Sequence, residues 1–129
     1  PKRSKSKFYP FCTTFRAERP LRVATVTCGY ADGYPRSLSG CGTASVNGRP
    51  APVLGRVCMD QLMIDVSACG EVQQGDVVTL FGGAGADSVE EAARRAGTIP
   101  HELTCGISRR VPRVYRKEGR VVSSSDYML

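Results

Sequence analysis

The sequence predicts a mainly β, β-barrel-like domain with one or two short helices. Three observations carry this expectation. Short β-branched runs recur along the chain and are cut by Gly, Pro and Asn-Gly turns. Only one segment, Ser88 to Ala96, has both a clear helix start and a clear helix stop. No internal repeat or linker interrupts residues 20–122.

The elements follow in order. Leu21 to Cys28 (LRVATVTC) alternates, is rich in Val and Thr, and ends at Gly29, so it reads as a strand. Gly40 to Val46 leads into Asn47-Gly48, the pair that best supplies two successive positive φ angles in a tight hairpin. Arg49 to Gly55 returns, and Pro50 and Pro52 place it at an edge or a bulge because proline cannot donate to a ladder. Arg56 to Val66 reads as a strand bent near Met59-Asp60. Gly75-Asp76 turns into a strand from Val77 to Phe81, and Gly82 to Gly85 is a loop. That GGAG is no phosphate loop, since no Lys-Ser/Thr follows it. In the helix, Ser88 is the N-cap, Glu90 and Glu91 occupy the first turn, Arg94 and Arg95 the last, and Gly97 stops it. Pro100 opens a second short helix within Ile99 to Ile107. Pro112 to Tyr115 and Arg120 to Val122 pair around Lys117-Glu118-Gly119.

Composition narrows the functional classes. At 129 residues the chain is one domain with room for a core. Lys2, Arg3, Lys5 and Lys7 supply four of the six net positive charges, so basicity belongs to the tail rather than to a folded face. That argues against a nucleic-acid partner, which wants basic residues spread over a face with aromatics among them. No apolar run approaches the ~20 residues of a membrane span, and the basic start has no apolar stretch behind it, so neither membrane insertion nor secretion is expected. Six cysteines without a C-x-x-C pair, and a single His, give no metal site. Cys28 and Cys58 fall within apolar strand patterns, and all six are expected as free thiols of a cytoplasmic protein.

Two strand-end segments carry chemistry. In GYADGYPR, Gly29 to Arg36, a phenol (Tyr30) and a guanidinium (Arg36) could gate and orient a carboxylate, although Asp32-Gly33 and Tyr34-Pro35 are also ordinary turn residues. In GRVCMDQ, Arg56 could steer an anion and the backbone N–H near Met59 could bind one if the strand bulges. The plainer reading makes Met59 and Met63 core and Asp60 a turn cap. RRVPRVY, Arg109 to Tyr115, admits either a phosphate clamp or a solvated edge strand.

Taken together, GYADGYPR, GRVCMDQ, QGDVVTLFG, GTIPHEL and RVPRVY resemble, in order and spacing, the C-terminal domain of alanine racemase. The resemblance covers residues 11–122 and sets off residues 1–10 as an atypical basic tail before a β domain spanning 11–129. It implies an enzyme that interconverts L- and D-alanine with pyridoxal phosphate (PLP), supplying D-alanine for peptidoglycan. The cofactor would sit on a Lys of an N-terminal β/α barrel, and each active site would lie between the barrel of one subunit of a homodimer and this domain of the other. By resemblance Tyr30 and Ile107 line the substrate entrance, with Arg36 and Arg56 in the next layer. Met59 presents a backbone N–H to the substrate carboxylate, flanked by Cys58 and Asp60. Arg109 stands where some members have a Tyr reaching the cofactor phosphate, a weak indication of cofactor binding.

The chain departs from the family pattern in two ways. The family's second base is a Tyr just before the run that reads here Thr14 to Arg19, and the matching position is Phe11, which cannot exchange a proton. Tyr9 takes that role only if the register shifts. The barrel is also absent, and none of Lys2, Lys5, Lys7 and Lys117 has the setting of a Schiff-base lysine, so no covalent PLP is expected on this chain. The isolated domain is therefore expected to be inactive. The competing readings are a non-catalytic binding module built on the racemase fold and the racemase domain of a serine/alanine racemase.

Overall fold

The structure, a computed structural model, describes residues 14–127. Tyr9, Phe11, Cys12 and the boundary expected near residue 10 lie outside the described residues. The strands β1 (Val23–Val26), β2 (Thr43–Val46), β3 (Arg49–Leu54), β4 (Leu62–Asp65) and β5 (Val78–Thr79) form one antiparallel sheet in the order β1-β4-β3-β2-β5. It curls into a half-barrel. Helices α1 (Val89–Ala96) and α2 (Pro100–Cys105) follow, and β6 (Arg113–Lys117) and β7 (Arg120–Ser125) make a separate hairpin. The mainly β fold with two short helices matches the expectation from sequence.

Local chemistry accounts for most of the turns. Asn47 and Gly48 have φ of 53° and 71°, the primed turn that matches strand twist, and the Asn47 amide also donates to the carbonyls of Cys69 and Glu71. The prolines of β3 lie in a strand that is interior in sheet order. They fall, however, in its first half, where β2 is the only partner among the described residues, since β4 pairs only with Val53 and Leu54. The Val53 N–H points to Gly42 on the β2 side, so by strand alternation the imide nitrogens of Pro50 and Pro52 face the unpaired side. In α1, Ser88 accepts from the Glu91 N–H and Gly97 adopts φ 77°, as the cap reading requires.

The largest fully buried side chains of the core are Tyr34, Leu38, Val46, Val57, Leu62, Ile64 and Cys69, with Ala92 and Ala93 bringing α1 onto the sheet and Leu103 bringing α2. The buried Asp87 fixes that docking. Its carboxylate accepts from the Thr43 N–H at 2.8 Å and pairs with Arg95 at 3.4 Å.

Several expectations are corrected. Arg56 to Gln61 is a loop rather than a bent strand, and β4 starts only at Leu62, because the Cys58 N–H closes a tight turn onto Gln61 O. The strand at 77–81 shrinks to two residues. Among the described residues β1 is an edge strand, half-exposed and with no fully buried residue. Tyr34 is a core residue, 2% exposed and stacked on Phe81 at 5.2 Å. Burial pushes its phenol well above the usual range. Met59, by contrast, is exposed and belongs to no core. Finally, Cys28 and Cys58 lie in loops rather than strands. Cys28, Cys41, Cys69 and Cys105 are free, but Cys58 is disulfide-bonded, which corrects the expectation of six free thiols. A half-buried loop cysteine remains open to a partner in a way that the buried Cys69 is not.

Candidate active-site face

Gly29 decides how the first two motifs meet. A Cβ on Gly29 would lie 2.2 Å from the Cys58 carbonyl oxygen and 2.4 Å from that of Met59. Only a bare backbone fits, and through it the N–H groups of Tyr30 and Ala31 donate to the Cys58 and Met59 carbonyls, each at 3.0 Å. The turn at residues 29–34 is held from within by Asp32, whose carboxylate accepts from the Gly29 N–H at 2.9 Å. Tyr30 is thereby left exposed beside Met59.

The third motif joins through Gly33, whose φ is 113° and whose absent Cβ makes room for the backbone of Gly106 and Ile107. The Ser108 N–H donates to Asp32 O at 3.1 Å. Arg113 then gathers the carbonyls of Ile107, Ser108 and Val111, which freezes the loop that presents Ile107. Arg110 reaches from this loop to both other motifs. Its guanidinium lies 2.8 Å from Asp60 Oδ1 and 3.4 Å from Asp32 Oδ1. These hydrogen bonds and charges, first that to Asp60, hold it protonated beyond its ordinary range.

Most of the residues singled out in the sequence converge. Tyr30, Cys58, Met59, Asp60 and Ile107 share one face. Arg36 and Arg56 are exposed at its side and are linked by Ser39, which accepts from the Val57 N–H and donates to Arg36 O. Arg109 does not join the others in a phosphate clamp. It lies over the Tyr127 ring at 5.7 Å. Of the three arginines across Pro112, Arg110 and Arg113 are committed to protein acceptors. Sequence reasoning missed Arg110 and Asp32 as partners. The available signal was the acidic residue in each of the two motifs facing a doubled arginine.

The Met59 N–H is a chemically open group on this face, one of several backbone amides of the 59–61 loop for which no acceptor is found among the described residues. Its carbonyl accepts from Ala31, but among the described residues its own N–H has no acceptor. An amide with no acceptor among the described residues, in an exposed residue, suits a small anion. Cys28, just below Gly29, is a poor nucleophile, since burial and then the Asp32 charge push its thiol up to about 11. Among the described residues no cluster of three His, Cys, Asp or Glu could hold a metal ion, and no helix is long and apolar enough to cross a membrane.

Known proteins share both this fold and this sequence pattern. Residues 5–115 match the family described as alanine racemase, C-terminal domain. The chain belongs to that family. The alanine racemase of Halothermothrix orenii is 49% identical over 108 residues, covering 82% of this chain and 28% of the relative. Alanine racemase 1 of Clostridium acetobutylicum is 47% identical over 116 residues, 88% of this chain and 30% of the relative. Among solved structures, the alanine racemase of Bacillus anthracis with bound L-Ala-P superposes with a TM-score of 0.79 at 43% identity, covering 89% of this chain and 30% of that one. The alanine racemase of Bartonella henselae with covalently bound pyridoxal phosphate gives 0.70 at 37% identity, over 75% and 27%. The chain thus spans less than a third of the length of these relatives.

Proposed function

We propose that this chain is the C-terminal domain of a PLP-dependent alanine racemase and supplies the substrate entrance and the carboxylate site. The observation that carries the reading is the Met59 N–H, without an acceptor among the described residues and in an exposed residue beside Tyr30, on a face built from family motifs. In this role the Met59 amide binds the amino-acid carboxylate. Tyr30 and Ile107 narrow the entrance, and Arg36 and Arg56 attract the zwitterion's negative end. The partner is a PLP-binding barrel, contributed by a second subunit of a homodimer. The substrate is alanine, and the product serves peptidoglycan synthesis in the cytoplasm. The four free thiols among the described residues agree with that compartment. The Cys58 disulfide argues the other way, because reducing compartments keep such pairs open.

PLP, when bound, supplies the electron sink that makes the substrate α-proton removable. The described residues fit the substrate end of such a site and not the cofactor's covalent anchor. Lys117, the lysine within them, is exposed in the β6–β7 hairpin. Arg109 retains a cofactor-phosphate role only by leaving Tyr127. Phe11 stands at the family's phenol position and moves no proton, so the domain alone is inactive and a barrel joined to it is a weak enzyme. A binding module descended from the racemase fold is the second reading, and Phe11 is the residue that favours it.

The test joins this chain to a racemase barrel and measures L- to D-alanine conversion. Phe11→Tyr should raise the rate by ~10²–10⁴, the usual worth of a general acid–base group. Arg56→Ala should impair substrate use more than Arg94→Ala, because Arg94 is solvated on α1. No gain from Phe11→Tyr, with activity lost in Tyr9→Phe, would assign the base to Tyr9. No activity in any form would favour the binding module.

A further inference from the structure

We infer that Arg110 is a positioning residue for the anion site at Met59. The inference rests on the carboxylate reading above and extends it to a residue that touches no substrate. Two carboxylates flank this site. Asp60 follows Met59 directly, with its side chain largely exposed, and Asp32 lies under the turn that packs on the Met59 carbonyl. Unopposed, both would repel an incoming carboxylate. Arg110 is the cation that meets both, at 2.8 Å and 3.4 Å.

The same contacts fix geometry. Asp32 is held on its other oxygen by the Gly29 N–H, and Gly29 presses on the Cys58–Met59 backbone. Asp60 is held by Arg110 alone among the described side chains. The guanidinium therefore ties the Met59–Asp60 turn to the 29–34 turn through a second link besides the Gly29 backbone contact. Arg109, next in sequence, cannot stand in, because it is turned to Tyr127. One side chain thus aims the Met59 N–H and cancels the charge beside it.

Acetate, as the simplest carboxylate, is titrated into the ¹⁵N-labelled chain while the Met59 amide resonance is followed, with chloride as the ionic-strength control. Saturable movement of the Met59 amide by acetate but not chloride is expected. Arg110→Gln should weaken the apparent affinity about fivefold or more, the effect of one uncompensated unit charge ~4 Å away in water. Arg110→Lys should keep part of the binding. Arg110→Gln combined with Asp60→Asn should recover much of the loss, which a purely structural role would not allow. If wild-type Met59 ignores acetate, the carboxylate reading fails and this inference with it. If wild type responds and Arg110→Gln responds within twofold of it, Met59 binds anions and Arg110 has no part in it. Should Arg110→Gln lose its dispersed spectrum, Arg110→Lys decides. Salt-sensitive binding weakened between twofold and tenfold supports the role, and binding within twofold of wild type overturns it.

Discussion

Replacing Gly29 by alanine tests how the face is assembled. The residue does not need a positive φ, so the cost comes from contact and not from conformation. The new Cβ would stand 2.2 Å and 2.4 Å from two backbone oxygens, far inside the 3.4–4 Å of ordinary contact. Neither oxygen belongs to a flexible side chain, so the two turns must separate. Overpacking of this kind costs ~1–3 kcal/mol. Separation also strains the two hydrogen bonds from Tyr30 and Ala31, each worth ~0.5–1.5 kcal/mol. A loss of about 2–6 kcal/mol is expected. At roughly 4 °C per kcal/mol for a domain of this size, that lowers the melting temperature by about 8–24 °C. Circular dichroism melts of wild type, Gly29→Ala and Gly106→Ala make the comparison. Gly106 has φ −71° and its nearest neighbour would be 3.3 Å from a Cβ, so its alanine variant should stay within about 1 kcal/mol of wild type. A Gly29→Ala melt within about 4 °C of wild type would refute the close approach of the two turns as the source of the cost.

Two further expectations concern titration and thiols. Glu91 is held down to about 2 by hydrogen bonds from Arg94 and then Arg95. An acid with a depressed folded pKa stabilises the fold above its unfolded value and loses that contribution as pH falls toward the folded one. The melting difference between wild type and Glu91→Gln should therefore be present at pH 6 and shrink steadily from pH 4.5 toward pH 2, and a pH-independent difference would contradict the pairing. Under denaturing, non-reducing alkylation Cys28, Cys41, Cys69 and Cys105 should label and Cys58 should not until reductant is added, as peptide mass mapping would show. In the folded chain Cys28 should lag behind the exposed Cys41 and Cys105, because burial keeps its thiol protonated.

Local chemistry was legible in the sequence, and long-range partnership was not. Asn47-Gly48, Ser88 and Gly97 each impose a backbone angle or a cap within a few residues, and each appears as read. Pro50 and Pro52 announced an unpaired strand side without revealing that β4 covers only the far end of β3. The Arg56–Gln61 segment looked like a strand because Val57 is apolar. Its pattern does not record the turn at Cys58 or the seat of Val57 on Ser39. Tyr34 was read as a turn residue, since a phenol between Gly33 and Pro35 gives no hint of the Phe81 ring it stacks on, far along the chain.

The candidate site followed the same rule. Tyr30, Met59 and Ile107 were named from family motifs, and the structure sets their backbones side by side through Gly29 and Gly33. Arg110 escaped notice because its meaning depends on Asp32 and Asp60, which lie in two other loops. Arg109 drew attention from its position in the motif, but its guanidinium is occupied by an aromatic ring near the chain's end.

The most direct test of the central claim is a crystal structure of this chain joined to a PLP-binding racemase barrel, grown with a carboxylate-bearing alanine analogue. A carboxylate oxygen is expected about 3 Å from the Met59 nitrogen, with Tyr30 at the mouth of the cavity. An analogue whose carboxylate is held elsewhere, with the Met59 N–H left facing water, would contradict the claim.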